Sequence, residues 1–378
     1  MNRSEDKILT THVGALPFLS DNKGVAAGDE SSLREEVSAI VALQREIGLD
    51  IVNEGEFAKG GDWLRYMQDR FSGFSEIDTP AEKPLVEQGK DREDFADFYK
   101  YASARGTLFY LPQSHGVKKR PVEACTGPVI YTGGAALQAE IDITLATAGK
   151  DNVFLTSTAP ASLEVYRRNR HYASDEAYVF AIAEAMRTEY EAIAGAGLIL
   201  QVDDAWLPAL WDRIGMGMGL GAFRARCQMR VEALNYALRN IPEDRVRYHL
   251  CWGSWHGPHA YDLELEHIVD ILLGVKAQAY LIEGANARHE HEHVVWSQVK
   301  LPDGKILIPG VVTHSTDVVE HPELVSQRLQ RYARHVGREN LIAGADCGFG
   351  WRSHPQIAWA KLKSLVEGAK RASEVLGY

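Results

Sequence analysis

Residues 246–252 read VRYHLCW: a short run that opens on a β-branched residue and closes on His249 and Cys251, two positions apart. In a strand, side chains alternate between faces with period two, so the imidazole and the thiol share one face. Working outward, similar runs recur: KILTTHV (7–13), LDIVNEG (49–55), NVFLTSTA (152–159), LILQVDD (198–204), AYLIEGA (279–285), ILIPGVV (306–312) and NLIAGAD (340–346). Helix-spaced apolar stretches lie between them, at 31–48, 174–197, 260–276 and 322–337. Eight strands alternating with helices, and no GxGxxG after the first, predict an α/β fold, a (β/α)8 TIM barrel in place of an open dinucleotide-binding sheet.

Segment 56–150 is too long for one βα connection. It carries the charged stretch DTPAEKPLVEQGKDREDF and a hairpin-like run at 107–131, and reads as an insertion after the second strand, on the rim of one domain spanning 1–378. There is no low-complexity tract and no Gly/Ser linker.

Composition narrows the function. The chain of 378 residues has 41 basic and 52 acidic side chains, a net charge of −11, with no Lys/Arg block, which argues against nucleic acid as a partner. At 45% apolar and 25% charged residues it has the makings of a large core. No window approaches the length of apolar chain a membrane needs, and MNRSEDKILT lacks a signal-peptide core, so a cytoplasmic protein is expected. The cysteines Cys125, Cys227, Cys251 and Cys347 are expected to be free thiols or metal ligands.

A barrel does its chemistry where strands end at the C-terminal face. There the sequence places His249 and Cys251, then Glu283 in AYLIEGA, then Cys347 directly after NLIAGAD. Two thiolates, an imidazole and a carboxylate suit a four-coordinate Zn²⁺, and so electron-rich a set favours holding a substrate thiol as thiolate over acidifying water. Two acid pairs close other strands: Glu54 and Glu56, and Asp203 and Asp204. They either cap the following helix or receive a substrate ammonium or hydroxyl. In ARHEHEHVVW, His289, His291 and His293 alternate with other residues, a spacing more typical of a hydrogen-bonded lid than of a second metal clip. Trp63, Trp206, Trp252 and Trp255 fall in or beside these loops, as a pocket wall or as core.

With these motifs in place, the chain resembles the catalytic barrel of cobalamin-independent methionine synthase, and most closely its short relatives of the epoxyalkane:coenzyme M transferase type. The matching stretches are TTHVGALP, VNEGEF, QVDDAWL, HLCWGSWHGPH, EGANARHEHE, PGVVTHSTDVVEHPE and AGADCGFG, from residue 10 to residue 350. The resemblance implies a zinc-dependent alkyltransferase with His249, Cys251, Glu283 and Cys347 as metal ligands. It implies that Glu56 and Asp203 hold an acceptor amine, and that a small thiol, homocysteine or a relative, is alkylated as a zinc-bound thiolate. His314 is then the candidate acid, with Trp252, His259 and His289 on the substrate side.

The partners implied are a small-molecule thiol acceptor and an alkyl donor, with no nucleic acid and no membrane; self-association into a homo-oligomer is left open. Three departures bear on substrate. The N-terminal half of full-length methionine synthase, with part of its folate surface, has no counterpart here; Ala15 stands where methionine synthase has serine; and His314 in THST is out of step by one position. The alternatives are epoxide opening by a thiol, with Arg288 and Lys59 as candidate sulfonate partners and His259, His289 or His314 as proton source; a zinc-free decarboxylase of the same fold; and a non-catalytic zinc-binding paralogue.

Overall fold

The computed structural model describes residues 1–20, 28–59, 65–67, 69–77, 85–108, 123–350 and 352–378. In chain order its strands are β1 (Leu9–Thr10), β2 (Phe71–Glu76), β3 (Glu123–Tyr131), β4 (Phe154–Thr158), β5 (Arg167–Asn169), β6 (Ile199–Asp204), β7 (Val246–Leu250), β8 (Ala279–Ile282), β9 (Ile306–Val312) and β10 (Ile342–Ala345). Seven form one parallel sheet in the order β1-β10-β9-β8-β7-β6-β4. Residues 50–53 close the gap between its edges: Ile51 N donates to Thr10 O, Val52 N to Asn152 O, and Phe154 N to Val52 O, with Val52 bridging Val153 in parallel. The sheet thus curls into an eight-position barrel, as the strand count predicts.

The expected strand at 49–55 shrinks to that single bridge because side chains take its backbone groups. Gln44 accepts from Asn53 N and donates to Asn53 O, Asn53 Oδ1 accepts from Gly55 N, and Glu54 Oε1 accepts from Glu56 N. The expected helix at 260–276 is also broken, into Leu265–His267 and Val269–Leu273. Residues before it are held by side chains from elsewhere: Trp252 Nε1 donates to Leu263 O at 2.7 Å, Glu292 accepts from Leu265 N, and Asp262 is engaged by two histidines.

Elsewhere the helices follow their strands. Asp29 caps Glu30–Glu46 and Ser174 caps Asp175–Gly195, while Pro322 and Pro355 open Pro322–Val336 and Pro355–Leu376. The helix Gly134–Ala148 packs on Glu30–Glu46 and belongs to the barrel's outer ring.

Only the second arm of the hairpin-like run at 107–131 falls among the described residues. Strand β3 pairs antiparallel with β2, far earlier in the chain, and parallel with β5, making a separate three-stranded sheet; residues 109–122 lie outside the described residues. This sheet is fastened to the barrel by buried charge. Arg70, just before β2, bonds Glu140 Oε2 at 2.7 Å and Glu189 Oε2 at 2.9 Å, and Lys59 lies 3.4 Å from Glu140 Oε1, all these side chains being no more than 5% exposed. Removing one partner of such a group strands the others without solvent. Arg70→Met is therefore expected to lower the unfolding free energy in urea by about 3–5 kcal/mol, the usual cost of breaking a buried pair; a loss of less than ~1 kcal/mol would show that the network holds nothing in place.

Candidate active site

Alternation along β6 and β7 sorts the polar residues before any substrate is considered. Asp204 and Tyr248 face the outer layer, where Tyr248 Oη donates to Asp204 Oδ2 and Ser162 Oγ to Asp204 Oδ1. Asp203 is paired in register with His249, one strand over, and both face the barrel axis. His249 Nδ1 lies 2.9 Å from Asp203 Oδ1. A carboxylate only accepts, so Nδ1 carries the hydrogen and Nε2 keeps its lone pair. That Nε2 is buried and has no partner among the described residues.

Two thiols complete the cluster. One ligand atom each from His249, Cys251 and Cys347 lies within 4.8 Å of the others, all three residues buried. Cys251 Sγ and Cys347 Sγ are 4.0 Å apart. The Cys251 S–H hydrogen bond, working against burial, holds Cys347 well below the ordinary thiol range, and Cys251 is raised correspondingly. A cation is the natural occupant of a site where two soft sulfurs, one of them held as thiolate, stand beside a lone pair aimed at nothing else among the described residues.

Glu283 sits at the end of β8, outside that trio. Its Oε1 accepts from Trp252 N at 2.9 Å and its Oε2 from Asn286 Nδ2 at 2.7 Å, and burial, against the nearby His289, pushes its carboxyl up to about 7. Asn286 also donates to Asp346 Oδ2, and Asp346 Oδ1 accepts from Gly284 N and Ala285 N. The residue next to Cys347 thereby positions the loop that carries Glu283.

Beneath the cluster lies a cation that the sequence reading passed over. Arg247, wholly buried on the same face as His249, donates from Nε to Gln201 Oε1 at 2.7 Å, from Nη1 to Thr11 Oγ1 and from Nη2 to His12 O. Gln201 Nε2 in turn donates to Asp203 Oδ1 at 2.6 Å. Hydrogen bonds converge on Asp203: Arg247 donates to Gln201, and Gln201 and His249 both donate to Asp203, which fixes the free Nε2 at the end of the chain. Burial lowers Arg247 to about 9, with Asp203 opposing the fall. Inward period-two spacing from His249 was the available signal for it.

Glu56 stands on the neighbouring wall, against β4. It is buried, accepts from Thr156 Oγ1 at 3.0 Å, and adopts φ 62°, a conformation rare outside glycine. Gly14 at φ 143° lies so close that a Cβ there would sit 2.2 Å from Glu56 Oε1. Burial, against Lys59 and reinforced by Asp203, raises the Glu56 carboxyl to about 7. Glu54 rises to about 8 by burial as well. Asp203 Oδ2 has no hydrogen bond among the described residues, and its side chain is 15% exposed, so one oxygen is open to the mouth.

The histidines divide. His314 is buried, its Nδ1 unpartnered, and burial lowers its ring to about 3, so it is neutral. His259 and His289 have both nitrogens engaged: His259 with Asp262 and Trp255 O, His289 with Glu292 at 2.8 Å and Asp262 at 3.3 Å. Against burial, the Asp262 and Glu292 bonds push His289 up to about 10. His259 also holds φ 51° and stacks on Trp255, while Trp252, fully buried, lies against His289. His291 is exposed and His293 packs against Tyr332 and His335, so the three alternating histidines do not converge. Lys59 is spent on Glu140 and Thr156, and Arg288 reaches the Asp262 carbonyl. Trp206 is buried under Tyr166, and Trp63 lies outside the described residues. Cys125 and Cys227 are buried away from the cluster, bonded to Gly127 O and Leu207 O.

A carboxyl raised on folding holds its proton to higher pH in the folded than in the unfolded chain, so stability falls as pH climbs from about 4.5 towards about 7. In metal-free protein, Glu56→Gln should gain stability relative to the parent between about pH 5 and about pH 8 in urea titrations. A difference that stays flat or reverses with pH would mean that Glu56 is ionised at no cost.

Comparison with known proteins bears on the family and the fold. The profile of the family described as cobalamin-independent synthase, catalytic domain, matches residues 121–371. The Bacillus subtilis protein YxjH, uncharacterised, is 25% identical over 94% of this chain and 92% of its own length. A methionine synthase from Saccharolobus islandicus is 23% identical, covering 92% of this chain and 86% of its own. A 5-methyltetrahydropteroyltriglutamate–homocysteine methyltransferase from Corynebacterium glutamicum is 22% identical, and its match takes up 40% of that longer protein. Among solved structures, a B12-independent methionine synthase from Shewanella sp. W3-18-1, in complex with selenomethionine, shares the fold with a TM-score of 0.72 at 16% identity, over 98% of this chain and 99% of its own.

Proposed function

This chain belongs to the cobalamin-independent methionine synthase family, and from that premise we propose that it is a zinc-dependent transferase that alkylates a small thiol, methylating homocysteine or a close relative. The observation that carries the reading is the buried, unpartnered Nε2 of His249 facing two thiols. His249, Cys251 and Cys347 would hold zinc, with Glu283 as the fourth ligand. When bound, zinc would keep an acceptor thiol ionised near neutral pH, turning a weak nucleophile into a strong one.

The protein's own groups do the rest. Glu56 and the open oxygen of Asp203 receive the acceptor's ammonium, two acids on neighbouring walls of one mouth. That contact fixes the thiol relative to the donor carbon, and positioning of this kind removes much of the entropic barrier. Neutral His314 presents one N–H and one lone pair beside Cys347, suited to hydrogen-bonding the departing group. His259, His289 and Trp252 act as positioning residues, since their polar atoms are already occupied within the loops that bear Glu283. The reading treats residues 1–378 as one domain working in the cytoplasm; among the described residues no helix is long and apolar enough to cross a membrane.

A non-catalytic zinc protein would have no use for a buried acid held at a left-handed φ beside its metal site. The decarboxylase alternative leaves the paired thiols unexplained. Epoxide opening by a thiol stays as the second reading, because Ala15 takes the place of a serine that would meet an amino-acid carboxylate.

Cys347→Ala is expected to weaken zinc binding at least ~10-fold and abolish thiol alkylation, measured by metal analysis after dialysis against a chelator; full zinc content in the variant would overturn the ligand set. Asp203→Asn should weaken zinc ~10-fold or more as His249 loses its orienting acceptor, while also raising the KM for an amine-bearing thiol. Unchanged metal affinity and KM would remove Asp203 from both roles.

A further inference from the structure

The mouth contains a cation that the ligand set, the acids and the histidines leave unused. Arg352 follows Cys347 by five residues, on the loop after β10. Among the described residues its guanidinium meets only neutral groups: Ser254 Oγ at Nε, and at Nη1 the Gly348 and Gly350 carbonyls at 3.5 and 3.4 Å, both long enough to be weak. Among the described residues no carboxylate forms an ion pair with it. The other buried cations nearby are all committed: Arg247 to Gln201, Thr11 and His12, Lys59 to Glu140, and Arg213 to Asp212.

Its placement faces the reacting groups. The loop is tied to the first-strand turn, where Ala15 O accepts from Phe349 N and Gly350 N, and that turn abuts Glu56 through Gly14. The charge of Arg352 bears on Glu56, Cys347, His314 and His256 alike. Ala15 has no side-chain donor and its carbonyl is already bonded, so among the described residues of this turn and loop Arg352 is the positive charge an entering anion meets.

We propose that Arg352 is the subsite for an acid group on the thiol acceptor, a carboxylate or a sulfonate, at the same mouth as Glu56 and Asp203. This rests on the thiol-alkylation reading above and adds to it the acceptor's chemistry. A thiol drawn to the cysteine cluster, an ammonium at the two acids and an acid group at the guanidinium make three-point recognition of a short amino-acid thiol. Without the ammonium, two points remain, and a sulfonate thiol fits them. A planar fork with spare donors matches either anion.

The test is calorimetric titration of zinc-loaded wild-type, Arg352→Gln and Arg352→Lys protein with homocysteine, coenzyme M and cysteamine, alongside metal analysis. Homocysteine has both charged ends, coenzyme M only the acid and cysteamine only the amine. Arg352→Gln is expected to weaken an acid-bearing thiol by ~10–100-fold, as for a lost charge-assisted bond. Arg352→Lys should fall between, and cysteamine affinity and zinc content should stay within about twofold. Homocysteine responding identifies a carboxylate acceptor and coenzyme M a sulfonate one. The proposal is overturned if cysteamine loses as much as the acid-bearing thiols, if these bind the variant unchanged, or if wild type binds cysteamine alone. If wild type binds none of the three, the thiol-alkylation reading itself fails, and the Arg352 subsite with it.

Discussion

The hydrogen bond between Asp203 and His249 is the constraint from which the site is built. It crosses two adjacent parallel strands at matched register and decides which imidazole nitrogen keeps its lone pair. A one-residue slip of β6 against β7 would put Asp204 in its place and turn Asp203 towards the helices. Register is pinned from both sides: Tyr248 and Ser162 hold Asp204 outside, and Gln201, backed by Arg247, holds Asp203 inside. A buried guanidinium is costly, so three hydrogen-bond acceptors and a nearby carboxylate accompany it, and each of these also orders the site above.

A second buried charge network does a different task. Lys59, Arg70, Glu140 and Glu189 join the start of the small sheet to two helices of the outer ring, with Tyr131 and Ser157 completing the bonds to Glu189. Such a network adds little net stability over an apolar core, yet it admits few alternative arrangements. It fixes residues 56–59 against β4, where Glu56 meets Thr156. The left-handed backbone at Glu56 and at His259 is strain that this rigidity can sustain.

Charge balance at the mouth then follows. Burial raises Glu54, Glu56 and Glu283, while the nearest cations are either paired or, in the case of Arg352, bonded to neutral groups. Bringing in a divalent cation and an amine would relieve the acids, and bringing in an acid group would satisfy the arginine.

Much of this was legible in the residues alone, because a parallel barrel writes its strands as short apolar runs and its chemistry at their ends. His249, Cys251 and Cys347 could be named from strand ends and period two, and the structure brings these three together. The strand at 49–55 and the helix at 260–276 were misread because distant side chains, Gln44, Glu292 and Trp252, capture backbone groups that local periodicity assigns to regular structure. The pairing of β3 with β2 and β5 joins segments tens of residues apart, which local pattern does not register. Arg247 had only its period-two spacing from His249 to mark it, and Arg352 had no such mark, since an arginine on a loop is usually a solvated charge. Sequence determined which residues could reach the barrel's mouth; only the tertiary structure decided which of them were already bonded to one another, because hydrogen-bond partners more than a hundred residues apart are chosen by strand register and closure of the barrel.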